Sequence, residues 1–137
     1  MRGVDGMIRL SKWRLDERRR ELRGLEDMMA GLVGQLAALG RELEAEQSAA
    51  RRGDVISLYG SYAKSVINRR ENLERSIGET EVAVEEKKDE VSAAFQDLKR
   101  YEIAAERAAR REAEEYERRD QAALDEIALT MHRRKVS

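Results

Sequence analysis

The chain has no cysteine and no proline, and only one histidine, one tryptophan and one phenylalanine; aromatic residues make up 4% of its 137 residues. Without cysteine it can form neither a disulfide nor a thiolate metal site, and it has no thiol nucleophile, which suits a reducing compartment without requiring one. The lone histidine, His132, stands in the basic run His132, Arg133, Arg134, Lys135. One imidazole with no neighbouring ligand set makes neither a metal site nor a general-base relay. The run reads as charge complement to a helix carboxyl end or as a contact for an acidic partner. No GxxxxGK[ST] loop is present, and Gly31, Leu32, Val33 and Gly34 form an apolar helical segment. The abundant carboxylates alternate with arginine in the manner of solvated helix faces. No catalytic residue, cofactor-binding residue or metal ligand is therefore assigned, and the chain reads as non-enzymatic with no cofactor.

Long apolar runs are missing too. The longest, residues 28–39, falls short of the ~20 residues needed to cross a bilayer. The first ten residues carry Arg2, Asp5 and Arg9 and lack the apolar core of a secretory signal, which argues against export; Met7 is an alternative start. Charge of one sign is not in excess, with 27 basic against 28 acidic residues, so bulk electrostatics favour neither nucleic acid nor an anionic membrane. The clusters Arg18-Arg19-Arg20 and Arg69-Arg70 are flanked by Asp16, Glu17 and Glu21 and by Glu71 and Glu74, which breaks up any continuous positive face. No nucleic-acid partner and no direct membrane insertion are expected.

What the chain does have is charge, 40% of its residues, laid around a regular apolar stripe. Ile8, Leu15, Leu22, Met29, Leu36, Leu43 and Ala50 follow one another at seven-residue spacing, and Leu25, Leu32 and Leu39 sit three residues after Leu22, Met29 and Leu36. This alternation of three and four keeps one seam facing a partner helix along a left-handed supercoil. Gly24 and Gly31 fall off the seam, on the outer face. The first helix is expected over about 7–52. A turn follows at about 53–56, where Gly53 can take the left-handed cap and Asp54 can cap the next helix.

A second helix is expected over about 57–133, with Ser57 and Gly60 suggesting an irregular start. Its seam comprises Tyr59, Val66, Leu73, Thr80, Lys87, Ala94, Tyr101 and Ala108 together with Ile77, Val84, Val91, Leu98 and Ala105. Beyond Ala105 the stripe continues through Ala109, Ala113, Tyr116, Ala123 and Ile127 only across a stutter, which locally unwinds a coiled coil. Glu106 with Arg110, Glu114 with Arg118 and Glu115 with Arg119 are acid-before-base couples at i,i+4, each worth about 0.2–0.5 kcal/mol. The expected fold class is all-α: two long helices in one antiparallel coiled-coil hairpin, the second longer and overhanging. Counting outward from the turn puts Ile8 opposite Leu98 and leaves everything from about Lys99 without an internal partner. Trp13 and Phe95, predicted near the same end, are expected to pack on each other.

Several short signatures occur in order along nearly the whole chain. They are Ile8-Arg9-Leu10 with Trp13, then Leu15-Asp16-Glu17-Arg18-Arg19, Tyr62-Ala63-Lys64, and Arg69-Arg70-Glu71-Asn72-Leu73-Glu74-Arg75-Ser76. Ala94-Phe95-Gln96-Asp97-Leu98-Lys99 with Glu102, and finally Leu124-Asp125-Glu126-Ile127, complete the set. This ordered set resembles the FliJ family of flagellar export proteins, in the form found in alphaproteobacteria. The resemblance implies a coiled-coil stalk of the flagellar type III export apparatus. Its implied partners are the hexameric export ATPase, the cytoplasmic domain of the export gate membrane protein, and export chaperones. The implied location is the cytoplasmic face of the inner membrane at the flagellar base.

Under that resemblance Tyr116, Leu124, Asp125, Glu126, Ile127, Met131, Arg133 and Arg134 are the expected contacts with the ATPase ring, since they combine an apolar stripe with charges of both signs. Tyr59, Tyr62, Lys64, Val66, Arg69 and Arg70 are the expected contacts with the gate or a chaperone. The bland alternatives are that the first set finishes a seam and the second packs the turn. Two other functions fit the same residues: a self-associating structural coiled coil, and the equivalent stalk of a virulence-type injectisome.

Overall fold

The computed structural model describes residues 2–52 and 56–136, with side chains described over 3–52 and 60–136. Two α-helices account for them, α1 at Arg2–Arg51 and α2 at Ile56–Val136. Both run without interruption because the sequence has no proline, and α2 meets no glycine after Gly78. α1 closes at Arg52, whose backbone N–H is shared between the carbonyls of Ser48 at 3.3 Å and Ala49 at 3.1 Å. Such sharing is the usual tightening of a last helical turn. The expected caps Gly53 and Asp54 lie outside the described residues, as do the side chains of Ser57 and Tyr59. Gly60 lies within regular α2.

The fold is the all-α, two-helix coiled-coil arrangement that the ladder implies, with α2 the longer helix. It divides into two packing units, Leu15–Ala94 and Met1–Arg14 with Phe95–Ser137. In the first, Leu39 and Val66 are 2% exposed, and Leu15 and Val84 are also buried. The remaining ladder residues Leu22, Leu25, Met29, Leu32, Leu36 and Leu43 are half-buried, as are Leu73, Ile77 and Val91 of α2. A single partner helix covers an apolar stripe from one side only, so partial burial along the seam is what a two-helix contact can achieve.

Charge fixes the register of this unit. Arg69 meets Glu42 across the seam at 3.4 Å, and Lys87 meets Glu21 at 2.6 Å, which sets the helices antiparallel. Lys87 occupies a seam position. It lays its stem along the apolar stripe and delivers its ammonium to Glu21 and Glu90, while Glu21 also receives Arg18 at 3.2 Å. Thr80, the other polar seam residue of α2, is buried, and its hydroxyl donates to the Ser76 carbonyl at 2.7 Å. The apparent imperfections at Lys87 and Thr80 are thus both satisfied.

In the second unit, Leu98 and Ala108 are buried, and Ile8, Tyr101 and Ala105 are half-buried. Ser11 is 2% exposed, and its hydroxyl finds no hydrogen-bond partner. It falls seven residues before Arg18 and fourteen before Leu25, so the companion series of α1 continues through two polar residues. Val4 and Asp5 line a notch with Ala105, Ala108, Ala109 and Glu112. This corrects the expectation that α2 loses its partner near Lys99: α1 begins at Arg2, and α2 is covered as far as Ala108.

The expected contact between Trp13 and Phe95 is also overturned. Trp13 is 61% exposed, and the face of Phe95 carries the Lys99 ammonium 5.4 Å from its ring centroid instead. Trp13 lies midway between Ser11 and Leu15, both of which face inward, so the helix turns it outward.

Two stability experiments follow from this packing. Leu39→Ala should cost about 2–5 kcal/mol through cavity formation, whereas Leu124→Ala, on a side chain 55% exposed, should stay within about 0.5 kcal/mol; thermal denaturation followed by circular dichroism distinguishes them. The ion pairs predict a pH profile. Hydrogen bonding from Lys87 lowers the Glu21 pKa, the Tyr62 hydroxyl and then Arg69 lower that of Glu42, and hydrogen bonding to Glu21 raises that of Lys87. The carboxylate contributions are complete above the ordinary carboxylate range and vanish as pH falls through the lowered values; the lysine contribution vanishes only as pH rises above the ordinary lysine range. The melting temperature should therefore be level around neutrality and drop in acid. A Glu21→Gln/Glu42→Gln variant should melt lower at neutral pH and lose less on acidification.

Candidate functional site

Past Ala108 every described side chain is exposed; residues 109–136 form the last segment of α2, and apart from the notch that Val4 and Asp5 share with Ala109 and Glu112 no second helix lies against it among the described residues. At 1.5 Å per residue this segment extends about 42 Å. It persists as helix for reasons internal to the sequence. It contains no glycine, is rich in alanine, glutamate and arginine, and carries Arg110–Glu106 at 3.3 Å and Arg119–Glu115 at 2.7 Å. The third expected couple, Glu114 with Arg118, does not come within ion-pair distance, and Gln121 donates instead to Asp125 at 3.0 Å.

Of the residues expected to meet the ATPase ring, all eight lie on this segment and all are exposed. Leu124, Ile127 and Met131 are spaced three and four apart and so share one face, with fractional exposures of 55%, 57% and 59%. Tyr116, 72% exposed, extends the same stripe toward the covered part of α2. Asp120 interrupts it midway. Asp125 and Glu126 lie on the sides of the helix turned away from the stripe, and Arg133 and Arg134 lie at its far end. An isolated exposed leucine needs no explanation, whereas an aligned exposed set on one helix face is a contiguous apolar surface.

The second expected group sits within Leu15–Ala94 and is less uniform. Lys64, Arg69 and Arg70 are exposed, Tyr62 is half-buried, and Val66 is 2% exposed in the seam, where it packs the helix pair and offers a partner little surface. Tyr59 has no described side chain. The Tyr62 hydroxyl is enclosed beside the Glu42 carboxylate without meeting hydrogen-bond geometry. Its pKa is pushed up, first by desolvation and then by the adjoining Glu42 carboxylate. Glu42 in turn takes the Arg69 guanidinium across the seam. This cluster links α1 to α2 and leaves Lys64 and Arg70 as the outward-facing members of the group.

Two exposed apolar residues of the unpaired segment stand outside the expected stripe. Leu129 is 52% exposed and Val136 75% exposed, and at about 100° per residue Leu129 points well away from Leu124 and Met131. Trp13, outward on α1, is a third. Heptad position would have found Trp13, because the register that puts Ile8, Ser11 and Leu15 inside leaves it outside. Among the described residues no cluster of three or more His, Cys, Asp or Glu is arranged to hold a metal ion, and no helix is long and apolar enough to cross a membrane.

Comparison with known proteins gives one match. A family model described as Flagellar FliJ protein aligns with residues 8–137, from the first ladder residue through the unpaired segment. No curated protein and no solved structure matches significantly. The aligned span takes in both arms of the coiled coil and the exposed stripe beyond them, and it covers nearly the whole chain. The chain belongs to the FliJ family, and its role lies in flagellar protein export.

Proposed function

We propose that this chain is the non-enzymatic coiled-coil stalk of the flagellar type III export apparatus, docking by residues 109–136 into the export ATPase ring and by the outer face around Tyr62, Lys64, Arg69 and Arg70 onto the export gate. The observation that carries the reading is the exposed stripe of Tyr116, Leu124, Ile127 and Met131 on a helix that has outrun its partner. A helix end of this kind suits a ring better than a flat partner, because loops from several subunits can close around all its sides. Charges of both signs around the rest of the helix, Asp125 and Glu126 with Arg133 and Arg134, supply polar contacts for such loops. Nucleotide turnover belongs to the ATPase. The chain itself transmits contact between ring and gate and carries no catalytic group.

The same reading places the protein at the cytoplasmic face of the inner membrane, held there by its partners, with export chaperones as further ligands of the Lys64 and Arg70 face. A self-associating structural coiled coil would use the same stripe, and it differs from the stalk in leaving ATPase turnover unchanged.

The test is turnover of the cognate export ATPase titrated with the full chain and with Leu124→Glu/Ile127→Glu/Met131→Glu. The full chain should bind the ATPase and change its turnover. The triple variant, whose substitutions touch no buried side chain, should keep its melting temperature and require at least about tenfold more protein for the same effect, since each exposed aliphatic anchor contributes on the order of 1 kcal/mol or more to docking. Equal potency of the two proteins would remove the stripe from the docking surface, and absence of any effect by the full chain would remove the stalk assignment altogether.

A further inference from the structure

The charges on residues 109–136 are ordered in blocks. Glu112, Glu114, Glu115 and Glu117 fall together with no base among them, and His132, Arg133, Arg134 and Lys135 fall together near the other end. Glu115 is occupied by Arg119, but Glu112, Glu114, Glu117, Arg133 and Lys135 make no ion pair or hydrogen bond among the described residues. Between the blocks the apolar stripe is close to its own reverse. Turning the segment end for end about the point between Ala123 and Leu124 lays Tyr116 on Met131, Asp120 on Ile127 and Ala123 on Leu124. The same operation lays residues 112–117, the acidic block, on residues 130–135, the basic one.

We infer that two copies of this chain pair through residues 109–136 as an antiparallel, two-fold symmetric coiled coil centred between Ala123 and Leu124. A two-fold contact must be complementary to itself, and this segment meets that condition in its charged pattern and, apart from Asp120 facing Ile127, in its apolar one. Viewed down the helix, Glu117 and Lys135 lie on one flank of the stripe, and Glu112 and Arg134 lie on the other, so each flank joins acid to base across the pair. Arg110, which the turn brings toward Lys135, is already held by Glu106 at 3.3 Å. A parallel pair would instead set glutamate against glutamate and arginine against arginine. Asp120 facing Ile127 keeps the association weak and reversible. The pair covers the stripe that the stalk reading assigns to the ATPase ring, so the two occupants exclude each other; that exclusion rests on the proposed function, while the pairing does not.

Sedimentation equilibrium of the full chain without any ATPase tests the pairing. The wild-type protein should form a dimer in a concentration-dependent manner, weakened by added salt. Arg134→Glu/Lys135→Glu and Glu112→Lys/Glu117→Lys, each with unchanged helicity by circular dichroism, should each weaken the dimer by at least about tenfold, because each sets like charges in contact. An equimolar mixture of the two variants should restore dimerisation, since every flank of the mixed pair again joins acid to base. A wild-type chain that stays monomeric up to millimolar concentration, variants that dimerise like wild type, or a mixture that fails to recover would each overturn the proposal. A monomer that still binds the ATPase would discard the self-pair alone, and a dimer indifferent to the ATPase would discard the stalk reading alone.

Discussion

The length of α1 governs the rest of this structure. An amphipathic helix rich in charge gains stability by covering its apolar stripe, and among the described residues that cover comes from the other helix. Wherever α1 lies against α2, leucines and valines are removed from water and ionic groups find opposite partners, as Lys87 does with Glu21 and Arg69 with Glu42. Where α1 is absent, α2 keeps the same kind of stripe and exposes it. The boundary at Ala108 between covered and exposed surface therefore marks how far α1 reaches along α2, more than any change in the chemistry of α2 itself.

Within the covered part, polar residues in the seam take on specific tasks. A buried lysine without a counterion would weaken the pair severely, yet Lys87 keeps its ammonium at the rim, where Glu21 and Glu90 receive it. Only one alignment of the two helices puts Glu21 within its reach, and sliding by a heptad would strand it. Glu42 and Arg69 impose a second condition of the same sort. Such exposed pairs contribute little to stability singly, but they discriminate between registers that the repetitive leucines would otherwise leave nearly equivalent. Ser11 works the other way: its enclosed hydroxyl lacks a partner, a local weakness of the unit that leads into the unpaired segment.

The ladder made the fold legible, because seven-residue spacing over Ile8 to Ala50 admits few structures other than a long packed helix. Its reach was harder to read. Counting outward from Gly53 assumed a symmetric turn and a start at Met7, and both assumptions moved the end of the covered region too early on α2; the cross-seam pairs that set the true register join residues 66 and 27 positions apart and leave no local mark. Trp13 and Phe95 show the opposite failure, where rarity suggested packing while heptad position had already placed Trp13 outside. For the candidate site, the stripe of Leu124, Ile127 and Met131 was visible as periodicity, but only the structure separates it from the seam residues of the same apolar ladder such as Val66, which is 2% exposed.

An exposed apolar stripe on a helix normally invites aggregation, and its persistence here follows from how it is divided. Asp120 splits the stripe, and the blocks Glu112 to Glu117 and Arg133 to Lys135 stand at its two ends. An arbitrary apolar surface gains little by covering a few half-exposed aliphatic side chains while desolvating so many charges. A partner gains much more if it presents complementary charge at the same spacing, and one such partner is the reversed segment itself. The segment's selectivity thus arises from the cost it imposes on wrong partners, while the modest area of its stripe keeps any right one exchangeable. Under the proposed function, such exchange is what would let the stalk enter a ring and leave it again.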